Sequence, residues 1–87
     1  MRIDKYLKLT RLIKRRTVAK ELLDRDLFYI NGKIAKPSSE IKVNDEVLLQ
    51  LGRHKLLIKV LKTPDYAKKE DASSLYEIIK EEIIDEA

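Results

Sequence analysis

The sequence predicts an α+β domain: two short N-terminal helices packed on a small, mostly antiparallel, twisted sheet, with a further helix at the C-terminus. Three observations carry that expectation. Apolar residues recur at helical spacing through the first part of the chain. Asn31-Gly32 stands between two short apolar runs, the preferred pair for a tight hairpin. Residues 46–61 then alternate in the manner of strands around Gly52-Arg53-His54. A chain of 87 residues has room for one domain with a small core. The expected division is a body over residues 1–63 and an acidic helical extension, residues 64–87, packed on the same domain.

Taken in order, residues 2–10 should form a helix in which Ile3, Tyr6, Leu7 and Thr10 share a face. Arg2, Lys5, Lys8 and Arg11 lie on the other side. Leu9 falls among these charges, and the pattern does not explain it. Asp4 is the single acid of this helix, so salt-bridge lacing does not account for the basic face. Residues 11–16 connect to a second helix, with Thr17 as the expected N-cap and an end near Arg25. Val18, Ala19, Leu22 and Leu23 would be its apolar side. Residues 27–35 make the hairpin, whose type I′ turn needs φ > 0 at both Asn31 and Gly32. Pro37-Ser38-Ser39 reads as a loop and Asn44-Asp45 as a turn. Strands follow at 46–51 and 55–61; in the second, Leu56, Ile58 and Val60 face one way, against Leu57, Lys59 and Leu61. Thr63-Pro64-Asp65 ends the pattern. A last helix is expected from between Lys68 and Ser74 to near the end, with Ser74 and Glu77 as a capping box and Leu75, Ile78, Ile79 and Ile83 as its apolar stripe.

The net charge of +4 hides a strong asymmetry. Residues 1–36 hold 11 Lys+Arg against 4 Asp+Glu, residues 37–69 hold 7 against 4, and residues 70–87 hold 1 against 7. The densest stretch, RLIKRRTVAK from Arg11 to Lys20, has five basic residues in ten, with Lys8 just upstream. So much charge cannot lie in a core, because unpaired buried charge costs more than a small domain can offset. Leu12, Ile13, Val18 and Ala19 nevertheless anchor the stretch to a folded body. Arg15 and Arg16 stand at the start of the second helix, where free N–H groups and the helix dipole also favour an anion. A basic body is drawn to nucleic acid or to an anionic membrane. With no Trp and one Phe there is little to anchor it in a membrane surface.

Other chemistries find little support. Cysteine is absent, which excludes disulfides and thiolate metal sites and is compatible with a reducing cytosol. MRIDKYLK does not read as a signal peptide, and no segment approaches the ~20 apolar residues of a membrane span. The single histidine, His54, sits in a strand turn; Ser38-Ser39 lack a nearby base; the carboxylates gather in the tail. No nucleophile–base set or metal motif emerges, so neither catalysis, a cofactor nor a metal is expected.

Five pieces in order, RIDKYL at 2–7, RLIKRRTVAK at 11–20, INGK at 30–33, KPSS at 36–39 and NDE at 44–46, resemble the RNA-binding module of small-subunit ribosomal protein four, the S-four domain. The likeness covers residues 1–61. The family usually has Gly where this chain has Asp26 and Asn44, two points of expected left-handed backbone that Asp and Asn tolerate best among other residues. A short freestanding copy with LIKRRTVAKE, and with Tyr76 and KEE at 80–82 in its tail, is similar to the RqcP-like proteins of bacterial ribosome-associated quality control. That resemblance implies partners: the large ribosomal subunit and its rRNA, peptidyl-tRNA, and an RqcH-type factor that adds alanine tails. It also implies a cytoplasmic protein, monomeric off the ribosome. The related heat-shock ribosome-rescue protein has a longer, basic C-terminal extension, unlike the acidic end here.

The expected mechanism is binding of folded RNA through its phosphates. Arg2, Lys5, Lys8, Arg11, Lys14, Arg15, Arg16 and Lys20 would supply the charge, with Arg suited to bidentate contact and Lys to point attraction. Asn31, Lys36 and Ser38 would add edge contacts. Exposed aromatics are expected to be few, which favours recognition of RNA shape over stacking on single strands. Replacing Arg2 and Arg16 by Ala is expected to release the RNA without unfolding the chain. Two rivals remain. One is a helix-turn-helix DNA binder, for which Lys20, Glu21, Asp24 and Arg25 make a poor base-reading face. The other is a protein-interaction module docking through the C-terminal apolar stripe.

Overall fold

The computed structural model describes residues 1–84. Helix α1, Ile3–Leu9, buries Ile3, Tyr6 and Leu7 completely, as its spacing requires. Thr10, also buried, is satisfied locally: its hydroxyl donates to the Leu7 carbonyl at 2.8 Å and accepts from the Leu12 N–H at 3.3 Å. Helix α2, Arg16–Asp24, begins one residue before the expected cap. Thr17 already lies inside the helix, and Arg15 is the extended N-cap residue with no side-chain capping bond. A tertiary pair between Arg16 and Asp4, rather than a local cap, holds the first turn in place. Ala19 and Leu23 are fully buried and Leu22 partly, but Val18 is turned to solvent, 39% exposed. One step of about 100° from Ala19 suffices to take it off the apolar face.

Strands β1, Phe28–Ile30, and β2, Lys33–Ile34, form the expected hairpin, with φ of 50° at Asn31 and 83° at Gly32. Asp26 (φ 59°) and Asn44 (φ 78°) are left-handed, as the departures from glycine implied. Strands β3, Glu46–Leu51, and β4, His54–Val60, pair in register from Glu46↔Lys59 to Leu51↔His54. His54 therefore opens a strand instead of lying in the turn. Val47, Leu49, Ile58 and Val60 are fully buried and join Ile3, Tyr6, Leu7, Ala19, Leu23 and Phe28 in one core. Burying each larger aliphatic side chain there contributes about 1.5–3 kcal/mol.

The expected C-terminal helix is not formed. A 3-10 helix, Lys69–Leu75, leads into strand β5, Tyr76–Ile83, which pairs antiparallel with β4 and completes a sheet of order β2-β1-β3-β4-β5. Ser74 does not cap; its hydroxyl donates to the Asp71 carbonyl at 2.6 Å. Two physical effects override the helical spacing. Ile78, Ile79 and Ile83 are β-branched and favour strands, and without β5 the long β4 would leave a row of unpaired N–H and C=O groups. Only Leu75 of the predicted stripe enters the core; Ile78, Ile79 and Ile83 are 49%, 47% and 67% exposed. The part of the expected helix that falls on residues 85–87 lies outside the described residues.

The extension is nonetheless joined to the body. The buried Tyr6 hydroxyl donates to the Leu75 carbonyl at 2.7 Å, and the Leu61 N–H donates to the same oxygen at 2.9 Å. Burial pushes the Tyr6 phenol well above the ordinary tyrosine range, with Tyr76 adding to the shift. Among the described residues no helix is long and apolar enough to cross a membrane.

Candidate nucleic-acid interface

The centre of the basic surface is an acid. Asp4 is fully buried on α1, beside Ile3 and Leu7. Its Oδ2 accepts from Arg2 Nη2 at 3.2 Å, and its Oδ1 accepts from Arg16 Nη2 at 3.3 Å and from the Lys5 N–H at 2.7 Å. The two arginine side chains stay 45% and 41% exposed. One carboxylate thus joins the start of α1 to the start of α2 and leaves two guanidinium groups facing partly outward. Isolated in a core, this carboxylate would be costly; two cations and a backbone donor make it tolerable. The chain entering α1 is pinned as well. The N-terminal ammonium lies 2.8 Å from the Glu40 carboxylate, the Ile3 N–H donates to the Ser39 carbonyl at 2.8 Å, and Arg2 bridges Glu40 through its backbone.

The remaining cations of the two helices differ from this pair. Lys8, Arg11, Lys14, Arg15 and Lys20 are exposed, and among the described residues none of them has an ion-pair partner. Lys5 is half-buried, with a long contact of 3.9 Å to the exposed Asp65. With no side chain capping α2 at Arg15, the first-turn N–H groups keep their partial positive charge beside Lys14 and Arg15.

The three proposed edge residues have other employment or none. The Asn31 side chain donates to Asp45 at 3.1 Å and accepts from the Glu46 N–H at 2.9 Å, which ties the hairpin turn to the start of β3. Lys36 donates to Asp26 at 2.5 Å, and that hydrogen bond raises its pKa above the ordinary lysine value. Ser38 is exposed, while its neighbour Ser39 accepts from the Lys36 N–H at 2.9 Å. Asn31 borders a shallow groove whose charged lining includes Glu40 and Asp45 as well as Lys33 and Lys42, a mixed set unlike the helix face.

Reading the sequence missed Asp4 as an organiser, although a signal existed: three residues before Leu7, it shares the apolar side of α1. It also missed Tyr66, Lys68 and Lys69. These residues, with Lys8 and Arg11, line an open cleft of about 370 Å³ at the end of α1. A larger concavity on the outer face of the sheet, lined by Tyr29, Leu48 and Leu57, is mainly apolar and has Glu46 as its only charged lining residue. His54 stands at the other end of β4 from Val60, 3.7 Å from the Glu81 carboxylate. No metal-binding cluster occurs among the described residues.

Residues 1–47 match the family model of the S4 domain. A protein of Streptococcus pneumoniae called RQC P-site tRNA stabilizing factor is 54% identical over 99% of this chain and 98% of its own length. Proteins of the same name from Listeria monocytogenes (47% identity, 100% of this chain and 95% of that one) and Bacillus subtilis (46%, 99% and 100%) are similar throughout. Among solved structures, heat shock protein 15 of Vibrio cholerae, described as trimeric, superposes with a TM-score of 0.83 at 28% identity, covering 90% of this chain and 80% of that one.

Proposed function

The chain belongs to the S4 domain family and, within it, to the RQC P-site tRNA stabilizing factors, and from that premise we propose that it is a non-catalytic RNA-binding factor of ribosome-associated quality control. It binds the large ribosomal subunit carrying a stalled peptidyl-tRNA, touching both rRNA and tRNA, and supports alanine tailing by an RqcH-type factor in the cytoplasm. Off the ribosome it is a monomer.

One observation carries the reading: five exposed cations of the two helices and the turn between them, unpaired among the described residues, adjoin two arginines locked on a buried carboxylate. Rigid guanidinium groups suit bidentate phosphate contact, and mobile lysines add sequence-independent attraction. Such a surface holds folded RNA in place while the chemistry occurs on a partner. Asn31, Lys36 and Ser38 would contribute only where RNA displaces their present contacts or approaches the loop at Ser38.

A second reading is a general rRNA binder or heat-shock ribosome-rescue protein, favoured by the likeness to the Vibrio cholerae structure; the higher identity to the tRNA stabilizing factors favours the first. Sedimentation separates them. The protein is expected to travel with separated large subunits, enriched when stalling is induced, and not with small subunits or intact ribosomes. Equal association with both subunits, or indifference to stalling, would leave only the general binder.

A further inference from the structure

We propose that the cleft at the C-terminal end of α1 binds an unstacked RNA nucleotide, its phosphate held by Lys8, Arg11, Lys68 and Lys69 and its base stacked on Tyr66. The proposal rests on the RNA-binding reading and adds to it a site for an unpaired base.

The cleft has the chemistry of such a site. Four cations line it against one acid, Glu70. Its volume of about 370 Å³ falls within the ~300–1,000 Å³ of small-molecule sites. Tyr66 is 75% exposed, and it also lines a second groove with Lys62, Pro64 and Asp71, so its ring is open on more than one side. The loop that carries it is not loose at this point: Ala67, the next residue, packs against the core. An exposed aromatic ring among lysines and an arginine is the arrangement on which bases stack while cations hold the backbone.

Arg11 supplies a second, independent observation. It follows the C-cap Thr10 with φ of 61°, and its N–H donates to the Lys8 carbonyl at 3.0 Å. This is the left-handed position after a helix that glycine occupies without strain. An arginine there strains the backbone, and its side chain makes no ion pair among the described residues. Strain retained at such a position points to a use for the side chain. In this fold the use on offer is the cleft that the side chain lines.

The test is an RNA hairpin with 2-aminopurine in its unpaired loop, compared with a blunt duplex of the same stem. Wild-type protein should quench the loop fluorophore on binding. Tyr66→Ala should abolish the quenching and weaken hairpin binding about five- to a hundred-fold more than duplex binding, while Tyr66→Phe keeps both. Arg11→Gly should raise the melting temperature yet weaken hairpin binding more than duplex binding, which an arginine adding only general charge would not do. Quenching and affinity unchanged in Tyr66→Ala, or Arg11→Gly weakening both RNAs equally, would overturn the site and leave the RNA-binding reading standing. A protein that binds neither RNA would lose both. Full displacement of the hairpin by a millimolar nucleoside monophosphate would make this a free-nucleotide site, contrary to the proposal.

Discussion

Arg2 and Arg16 on one side, and Lys14, Arg15 and Lys20 on the other, carry the same formal charge within one short stretch, yet they have different physical roles. The first pair is fastened to Asp4, a carboxylate with no exposure of its own. The second set extends into solvent with no acid to hold it among the described residues. The fastened arginines lose reach and gain direction; the free residues keep reach and add long-range attraction. Counting basic residues therefore overstates the free charge of this surface, and it conceals that two of its members also hold the helices together. Even the fastening is incomplete, since Arg16 Nε is buried without a partner.

The largest effect should come from breaking the fastened pair. Arg2→Ala together with Arg16→Ala leaves Asp4 buried without a cation, at a cost of about 2–4 kcal/mol after discounting for the partly exposed arginines. In a domain of this size that is a large share of the whole stability. The two arginines also hold Asp4, so the double variant is expected to lose stability as well as RNA. Thermal unfolding is expected to show a clear drop, and adding Asp4→Asn should recover much of the stability without recovering RNA binding. Full recovery of binding would mean that the arginines only neutralise Asp4.

Next comes the free set. Lys14→Ala, Arg15→Ala and Lys20→Ala should each change stability by no more than about 0.5 kcal/mol, and the three are best combined to read binding. In a salt titration of RNA affinity the combined variant should flatten the log–log slope by up to ~2.7, each lost phosphate contact accounting for about 0.9. An unchanged slope would show that these three are only a solvated face.

The smallest effect should come from Lys36, which is fastened too, but to the exposed Asp26. Lys36→Ala is expected to leave the midpoint of chemical denaturation almost unchanged, because exposed ion pairs contribute little. A loss as large as that of the arginine pair would refute the view that burial of the acid, not pairing as such, makes the difference.

The body of the fold was legible because its signals are local. Ile3, Tyr6 and Leu7 share a helix face, Asn31-Gly32 dictates its own turn, and Leu56, Ile58 and Val60 alternate with period two. Each is settled by neighbours in sequence. β5 was misread because its spacing, with Leu75, Ile78, Ile79 and Ile83, fits a helical stripe, and what decides it is the free edge of β4, a partner some twenty residues away. The basic surface could be listed from the sequence, and the start of α2 was placed near its true position, though the N-cap is Arg15 and not Thr17. The burial of Asp4 had a local signal, but its pairing did not, since a pair between residues 4 and 16 exists only once two helices have packed. Tyr66 was overlooked for a similar reason: exposure belongs to the fold, not to the residue type.

The hydrogen bond from Tyr6 to Leu75 has a consequence for the order in which the molecule is made. It joins residues 69 apart. All pairing among β1 to β4 becomes possible once β4 has emerged, so most of the sheet can form before β5 is made. Tyr6 emerges well before Leu75, and its hydroxyl has no partner from that segment until Leu75 follows. During that interval β4 also keeps an open edge. A chain interrupted between Val60 and Leu75 would therefore expose both defects at once, and this core closes only when the segment around Leu75 is present.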